Sequence, residues 1–198
     1  MLKIKWLENT KLTWILISVI TLGVIFGNAL LARKTINTLS STQQSLLNSG
    51  YVLYELNRLH VLILSAESGQ RGFLLTENEE YLAPYADALS ELNLQLKSVA
   101  NIHSELPGQK IKIQTLLDLT QEKLDELTTT VALALSDKER KALRIVLSGN
   151  GRMLYRNIRQ TFEEIENIES NYRQLLFSKL AITEREAQAT FIISAITS

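Results

Sequence analysis

Residues 12–32 read LTWILISVITLGVIFGNALLA, an uncharged and mostly apolar run that Arg33 and Lys34 follow directly. About 20 apolar residues in a helix rise about 30 Å, which is the thickness of the hydrocarbon core of a bilayer. The apolar core of a cleaved signal peptide is shorter, about 7–15 residues, and ends at a small-residue cleavage site. We therefore expect residues 12–32 to form a retained transmembrane helix, with a cleaved signal peptide as the alternative.

Basic residues lie on both sides of this run. Lys3, Lys5 and Lys11 precede it, so the excess of positive charge on the N-terminal side is small. Because short segments rich in lysine and arginine stay in the cytoplasm, we expect residues 1–11 to be cytoplasmic and residues 33–188 to lie outside the cytoplasm.

The segment 189–198 at the other end is again uncharged and mostly apolar. Its length is about half of what a membrane span needs. We expect it to be the start of a second transmembrane helix that the end of this sequence interrupts, and a frayed apolar tail is the alternative.

The amino-acid composition limits the possible fold and function of the region between these ends. Lysine and arginine together number 21, as do aspartate and glutamate, and the two signs are interspersed, which does not fit a nucleic-acid-binding surface. The chain has no cysteine, which excludes disulfides, thiolate metal ligands and cysteine nucleophiles. Eight glycines and two prolines are too few for the turns of an all-β fold. We therefore expect a single all-α domain over residues 33–188 and no nucleic-acid partner.

Apolar residues that recur at spacings of three and four predict the helices. The first helix leaves the membrane run and continues to Leu75. The second begins near the capping-box pattern TENE at residues 76–79 and ends at residues 106–108. The third carries an apolar stripe over residues 113–134.

Two further helices follow. The pattern SDKE at residues 136–139 predicts a short extra helix to about Leu147, and the last long helix starts at Arg152. Its apolar stripe includes Leu175 and Ile182 and runs toward the apolar C-terminal segment. Long amphipathic helices with short connections predict an up-down-up-down four-helix bundle, with an extended coiled coil as the alternative.

Residues 66–85, AESGQRGFLLTENEEYLAPY, resemble the signature of the CHASE3 family. The shared pattern is a glutamate, small residues, arginine-glycine-aromatic-leucine-leucine-threonine, an acidic turn and tyrosine-leucine. Residues 151–176 resemble the last helix of the family more loosely, with Tyr172 where an acidic residue is expected. The resemblance covers about residues 33–188.

The resemblance implies a function and a location. CHASE3 domains are extracytoplasmic sensory input domains of bacterial receptors, usually dimeric helical bundles between two membrane spans. This chain would therefore lie in the bacterial inner membrane as a homodimer, with its bundle in the periplasm. The resemblance also implies a histidine kinase, cyclase or chemotaxis output after the second span, and the sequence contains none of these. The stimulus would be a small molecule or a protein that the resemblance leaves unspecified.

The candidate functional residues gather around the turn after the first helix. Continuing the register of that helix places Glu67 and Gln70 on its buried seam, with Arg71 one turn after Glu67. A buried carboxylate needs a partner, so we expect Glu67 to pair with Arg71 or with an arginine of the last helix such as Arg152, Arg156 or Arg159. The full candidate set is Glu67, Gln70, Arg71, Gly72, Phe73, Thr76, Tyr81, Tyr85 and Arg159.

This set has two interpretations. It is either a polar clamp that fixes the register of the helices, with Gly69 and Gly72 allowing close backbone approach, or a cluster that contacts a ligand. The aromatic members are expected to be core residues rather than a ligand box, because they follow the helical spacing.

No pattern in the sequence indicates catalysis, a metal site or a cofactor. His60 and His103 would lie too far apart on the predicted helices to share a metal. Gly23 and Gly27 form a small-x-x-x-small pattern that can bring two membrane helices into contact or can face lipid without a role. The sequence thus predicts a membrane-anchored sensory input domain that is not an enzyme. The alternative is a non-signalling, membrane-anchored helical adaptor or structural protein.

Overall fold

The structure is a computed structural model that describes residues 2–104 and 106–197, with side chains for residues 11–104 and 106–192. In chain order the helices are α1 (Leu2–Thr76), α2 (Leu82–Ala100), α3 (Gln109–Ala134), α4 (Glu139–Leu147) and α5 (Asn150–Thr197), and a 3₁₀ turn at Glu79–Tyr81 precedes α2. No strand occurs in the part of the chain that the structure describes. The predicted all-α class and the short extra helix α4 are confirmed.

The chain divides into two compact units, of which the first comprises Met1–Leu47 and Gln174–Ser198. Among the described residues, one helix contains a window long and apolar enough to cross a membrane, with mean hydropathy 2.3 and no buried residue. This window belongs to the segment Lys11–Thr76 of α1. The finding fits the predicted first membrane helix.

Two predictions for the first unit fall partly outside the described side chains. In the predicted cytoplasmic segment 1–11, residue 1 and the side chains of residues 2–10 lie outside the described part of the chain. In segment 189–198, the side chains of residues 193–197 and residue 198 lie outside it. The second membrane helix therefore stays a prediction. Leu175 and Ile182, which the predicted stripe of the last helix includes, are exposed. The apolar stripe of α5 is therefore buried at Leu154, Ile158 and Ile165 but not at these two positions.

The second unit, Asn48–Arg173, holds the hydrophobic core. Its members recur at helical spacing on four helices, as the apolar stripes predict. They are Val52, Leu56, Leu59, Leu62, Ile63, Ala66 and Phe73 of α1, Tyr85, Ala88, Leu92 and Val99 of α2, Ile113, Leu116, Leu124, Leu127 and Val131 of α3, and Ile158, Phe162 and Ile165 of α5.

The connections begin and end differently from the sequence predictions. Thr76 is the last residue of α1, and its hydroxyl donates to the carbonyl oxygen of Gly72 at 2.7 Å. Asn78 is the side-chain cap instead, because its Oδ1 accepts a hydrogen bond from the backbone N–H of Glu80 at 2.9 Å. Pro84 falls in the first turn of α2, where a missing backbone donor costs little.

The end of α2 also differs. This helix ends at Ala100, six residues before the predicted stop at Leu106. Gly108 is the N-cap residue of α3 rather than the end of α2, and it adopts the left-handed conformation with φ 76°. The predicted cap of α4, Ser136, donates its hydroxyl to the carbonyl oxygen of Ala132 at 2.8 Å and caps nothing. Local pattern alone located these turns but not the residues that close them.

Buried polar pairs connect the four long helices of the second unit. Glu169 Oε2 accepts a hydrogen bond from Ser49 Oγ at 2.5 Å, and its Oε1 accepts one from Gln109 Nε2 at 2.6 Å. Gln95 Nε2 donates to Glu55 Oε2 at 2.6 Å. Within the described side chains, no buried nitrogen or oxygen lacks a partner. Hydrogen bonds between helices therefore compensate the polar groups of the core for the loss of water.

Candidate functional site

A buried lysine of α3 occupies the centre of the candidate site. The ammonium of Lys123 lies 3.3 Å from Glu67 Oε1 of α1 and 2.8 Å from Glu126 Oε2 of α3. It also donates to the carbonyl oxygen of Gly151 in α5 at 3.4 Å. An ammonium has three N–H donors, so these contacts use all of them. We call Lys123, Glu67, Glu126 and Gly151 the Lys123 cluster, and it joins α1, α3 and α5.

Burial makes this cluster energetically important. The side chain of Lys123 is 2% exposed, and both carboxylates are buried as well. Charges removed from water are tolerated only when they are paired and hydrogen-bonded, so losing one partner would leave the others uncompensated. The cluster therefore requires α1, α3 and α5 to meet at this point.

Arg71 pairs with Glu67 as expected, but it is not the buried partner. Its Nη2 lies 2.7 Å from Glu67 Oε1, while its side chain is 57% exposed. An exposed ion pair contributes about 0–1 kcal/mol. Lys123 is therefore the energetically more important partner of Glu67, although the sequence pattern did not single it out. It lies three residues after Thr120 and four before Leu127, and that spacing on the buried stripe was the available signal.

A glycine allows α5 to approach the cluster closely. A Cβ added at Gly151 would lie 2.8 Å from Glu126 Oε2. Any side chain at this position would push the carboxylate away from Lys123. Gly151 therefore contributes both its carbonyl oxygen and its lack of a side chain.

The turn between α1 and α2 depends on a second pair of glycines. A Cβ at Gly69 would lie 2.8 Å from the carbonyl oxygen of Tyr81 and 2.9 Å from Tyr85 Cβ, and one at Gly72 would overlap the Tyr81 ring. Tyr85 is buried, and burial raises the pKa of its phenol. Phe73 is likewise a core residue, whereas Tyr81 is 43% exposed, so the expectation that Tyr81 is a core residue is wrong. The structure thus shows the close approach that the sequence predicts at both glycines.

The remaining candidates are dispersed. Gln70 is buried and donates its amide to the hydroxyl of Thr130 in α3. Thr76 is exposed and bonds only to nearby backbone of its own helix and turn. Arg159 does not join the cluster, because its Nε lies 2.9 Å from Glu163 Oε1 on the exposed face of α5. Of the alternative partners expected for Glu67, Arg71 is therefore present and Arg159 is not.

A cavity of about 420 Å³ lies against the Lys123 cluster. Its charged lining comprises Glu67, Arg71, Lys123, Glu126 and Arg152. Leu74 and Leu75 of α1 and Leu143, Val146 and Leu147 of α4 supply its apolar lining. The short helix α4 therefore forms one wall of the cavity.

The histidines do not form a metal site. His60 shares a hydrogen bond of 3.1 Å with the hydroxyl of Tyr155 and stacks on Phe162, while His103 is exposed. Burial lowers the pKa of His60. In the described part of the chain, no three histidine, cysteine or acidic side chains are grouped to hold a metal ion.

Comparison with known proteins gives two matches. The family model of the CHASE3 domain matches residues 35–175. The crystal structure of the sensor domain of the Rhodopseudomonas palustris histidine kinase HK9 is similar, with 26% sequence identity and a TM-score of 0.55. That match covers 61% of this chain and 94% of the HK9 domain. No curated protein matches the chain.

The glycine contacts predict opposite effects for two matched substitutions in α1. Gly69→Ala should destabilise the protein by about 1–3 kcal/mol, because the new methyl group meets the backbone of Tyr81 and the Cβ of Tyr85. Gly50→Ala should stabilise it by up to about 1 kcal/mol, because its Cβ meets nothing within 4 Å and alanine favours the helix. Thermal unfolding of the full chain in detergent, followed by circular dichroism, measures both. A Gly69→Ala midpoint at or above that of the unsubstituted chain would contradict the close packing.

Proposed function

The chain belongs to the CHASE3 domain family, and on that premise we propose that it is a membrane-anchored extracytoplasmic sensory input domain that relays a stimulus to an output module outside these residues. The family match over residues 35–175 carries this proposal. The similar HK9 domain is the sensor domain of a histidine kinase, which supports a role in a two-component system. In this role the chain itself binds and transmits but does not catalyse.

We propose an up-down-up-down bundle for the four long helices of the second unit. Glu169, late in α5, bonds to Gln109 at the start of α3, whereas Gly151, early in α5, bonds to Lys123 further along α3. These two contacts support antiparallel directions for α3 and α5. Bundles with short connections commonly have this arrangement.

The position of α2 supports the same topology. Tyr85, early in α2, packs against Gly69, which lies near the C-terminal end of α1. Gln95, later in α2, bonds to Glu55, which lies earlier in α1. The order of the contacts supports antiparallel directions for α1 and α2.

The apolar window of α1 supports a membrane anchor. We propose that it crosses the bacterial inner membrane with residues 1–11 in the cytoplasm and residues 33–188 in the periplasm. The lysines before the window favour this orientation. We propose that segment 189–198 begins the second span.

Cysteine labelling tests the orientation, since the chain has no cysteine of its own. Asn101→Cys places a thiol at the exposed end of α2 and should react with a membrane-impermeant maleimide once the outer membrane is permeable. Lys11→Cys, at the N-terminal side of the apolar window, is the matched control and should react only after the inner membrane is lysed. The reverse pattern would contradict the proposed orientation.

An exposed apolar face of α1 supports a homodimer. In the second unit, Tyr51, Tyr54, Val61 and Leu64 recur at helical spacing, and each is between 42% and 59% exposed. Exposed apolar surface of this kind marks interaction sites. In the first unit, Gly23 and Gly27 have nothing within 4 Å of an added Cβ, which leaves room for a second membrane helix.

Disulfide crosslinking distinguishes a dimeric receptor from a monomeric adaptor. Tyr54→Cys and Val61→Cys should each form a crosslinked dimer when membranes are oxidised, because the two positions share the exposed face of α1. Leu94→Cys is the control, since Leu94 is an exposed apolar residue of α2. Equal and weak crosslinking at all three positions would contradict the dimer and favour the non-signalling adaptor.

The Lys123 cluster and the cavity are the proposed site of the stimulus. A ligand or partner shifts the bundle only if it binds one arrangement of α1, α3 and α5 more tightly than another. The cluster contacts these three helices, so a ligand beside it can favour one arrangement. A shift of α1 relative to α5 then becomes the signal.

A further inference from the structure

The side chains that line the cavity beside the Lys123 cluster carry a net positive charge. Arg71, Lys123 and Arg152 are cationic, and Glu67 and Glu126 are anionic, so one positive charge is unbalanced. A volume of about 420 Å³ is within the range of small-molecule pockets. The cavity can therefore hold a small ligand whose charge is negative.

The unbalanced charge lies at the arginines. Lys123 already uses its three donors on Glu67, Glu126 and Gly151. Arg71 uses one terminal nitrogen on Glu67, and among the described residues Arg152 has no carboxylate within 4.0 Å. A guanidinium group binds a carboxylate through two parallel hydrogen bonds. Arg152, with help from Arg71, is the group to which an anion would bind.

The exposed side of the cavity is partly apolar. Leu75 of α1 and Leu143 and Leu147 of α4 line it, and they are 82%, 49% and 71% exposed. Three exposed leucines beside the exposed Arg71 and Arg152 match a ligand with a polar head and an apolar body. A fully polar anion would leave these leucines in water, whereas a fully apolar ligand would desolvate Arg152 without pairing it.

We propose that this cavity binds a small amphipathic organic anion, with a carboxylate held by Arg152 and Arg71 and a short apolar body against the leucines of α1 and α4. The inference rests on the proposed sensory function and names its ligand class. It also assigns a role to α4, which supplies the apolar wall and lies directly before the glycine turn that leads to Gly151. Occupancy of the cavity would bring α4 toward α1 and so bias the arrangement at the Lys123 cluster.

Three probes with the same six-carbon body test the ligand class: hexanoate, hexylamine and 1-hexanol. Isothermal titration calorimetry on the full chain in lipid nanodiscs, with empty nanodiscs as the blank, should detect saturable binding of hexanoate. Hexylamine should bind at least about tenfold more weakly, because its ammonium group places a further positive charge beside the arginines. 1-Hexanol should also bind more weakly, because it offers no charge to pair.

Variants locate the binding at the cavity. Arg152→Gln should weaken hexanoate binding at least about tenfold, the effect expected for losing a charge-assisted hydrogen-bonded pair. Arg156→Gln is the matched control, because Arg156 is an exposed arginine of the same helix outside the cavity lining. Leu147→Asp should abolish hexanoate binding and should fold, since Leu147 is exposed.

Four results would each overturn the inference: no hexanoate binding, equal binding of the three probes, tighter binding of hexylamine, or equal binding by the Arg152→Gln and Arg156→Gln variants. Failure of the ligand class is distinguishable from failure of the proposed function. Crosslinking through Tyr54→Cys does not depend on the cavity. A chain that crosslinks as a dimer but does not bind hexanoate would still fit the receptor proposal.

Discussion

One buried ammonium held between two buried carboxylates is the constraint on which the helical core depends. Lys123 reaches Glu67 of α1, Glu126 of α3 and the backbone of Gly151 in α5, and its side chain is 2% exposed. A hydrophobic core can tolerate sliding of one helix along another, because apolar contacts are not directional. A buried charge cannot, since each displaced partner costs several kcal/mol. The register of three helices is thus set at one point.

Much of this architecture could be predicted from the sequence, for a physical reason. Helical periodicity decides which face of each helix leaves water, so the apolar spacing that predicts the helices also accounts for the burial of Leu56, Ile63 and Leu92. Glu67 and Gln70 were predicted on the same seam and are buried. The residues that resemble the family signature include Gly69 and Gly72, and at both an added Cβ would meet Tyr81.

The parts that could not be predicted are those set by partners distant in sequence. Lys123 lies on the buried stripe of α3, but periodicity does not say which carboxylate of another helix lies opposite. Arg71 or an arginine of α5 was therefore expected as the partner of Glu67, and Lys123 was not. The end of α2 and the cap at Asn78 depend on how the chain turns into its neighbours. Tertiary context decides such boundaries more than local preference does.

A double-mutant cycle on Glu67 and Lys123 tests the central claim most directly. Denaturant unfolding of the full chain in detergent would compare Glu67→Gln, Lys123→Met and the double variant, with Arg71→Gln as the exposed control. Each single change at the buried pair should cost about 3–5 kcal/mol, and the double change should cost at least about 1.5 kcal/mol less than their sum, because the second removes a partner already stranded. Arg71→Gln should cost no more than about 1 kcal/mol. Additive effects, or single costs no larger than that of Arg71→Gln, would contradict the account.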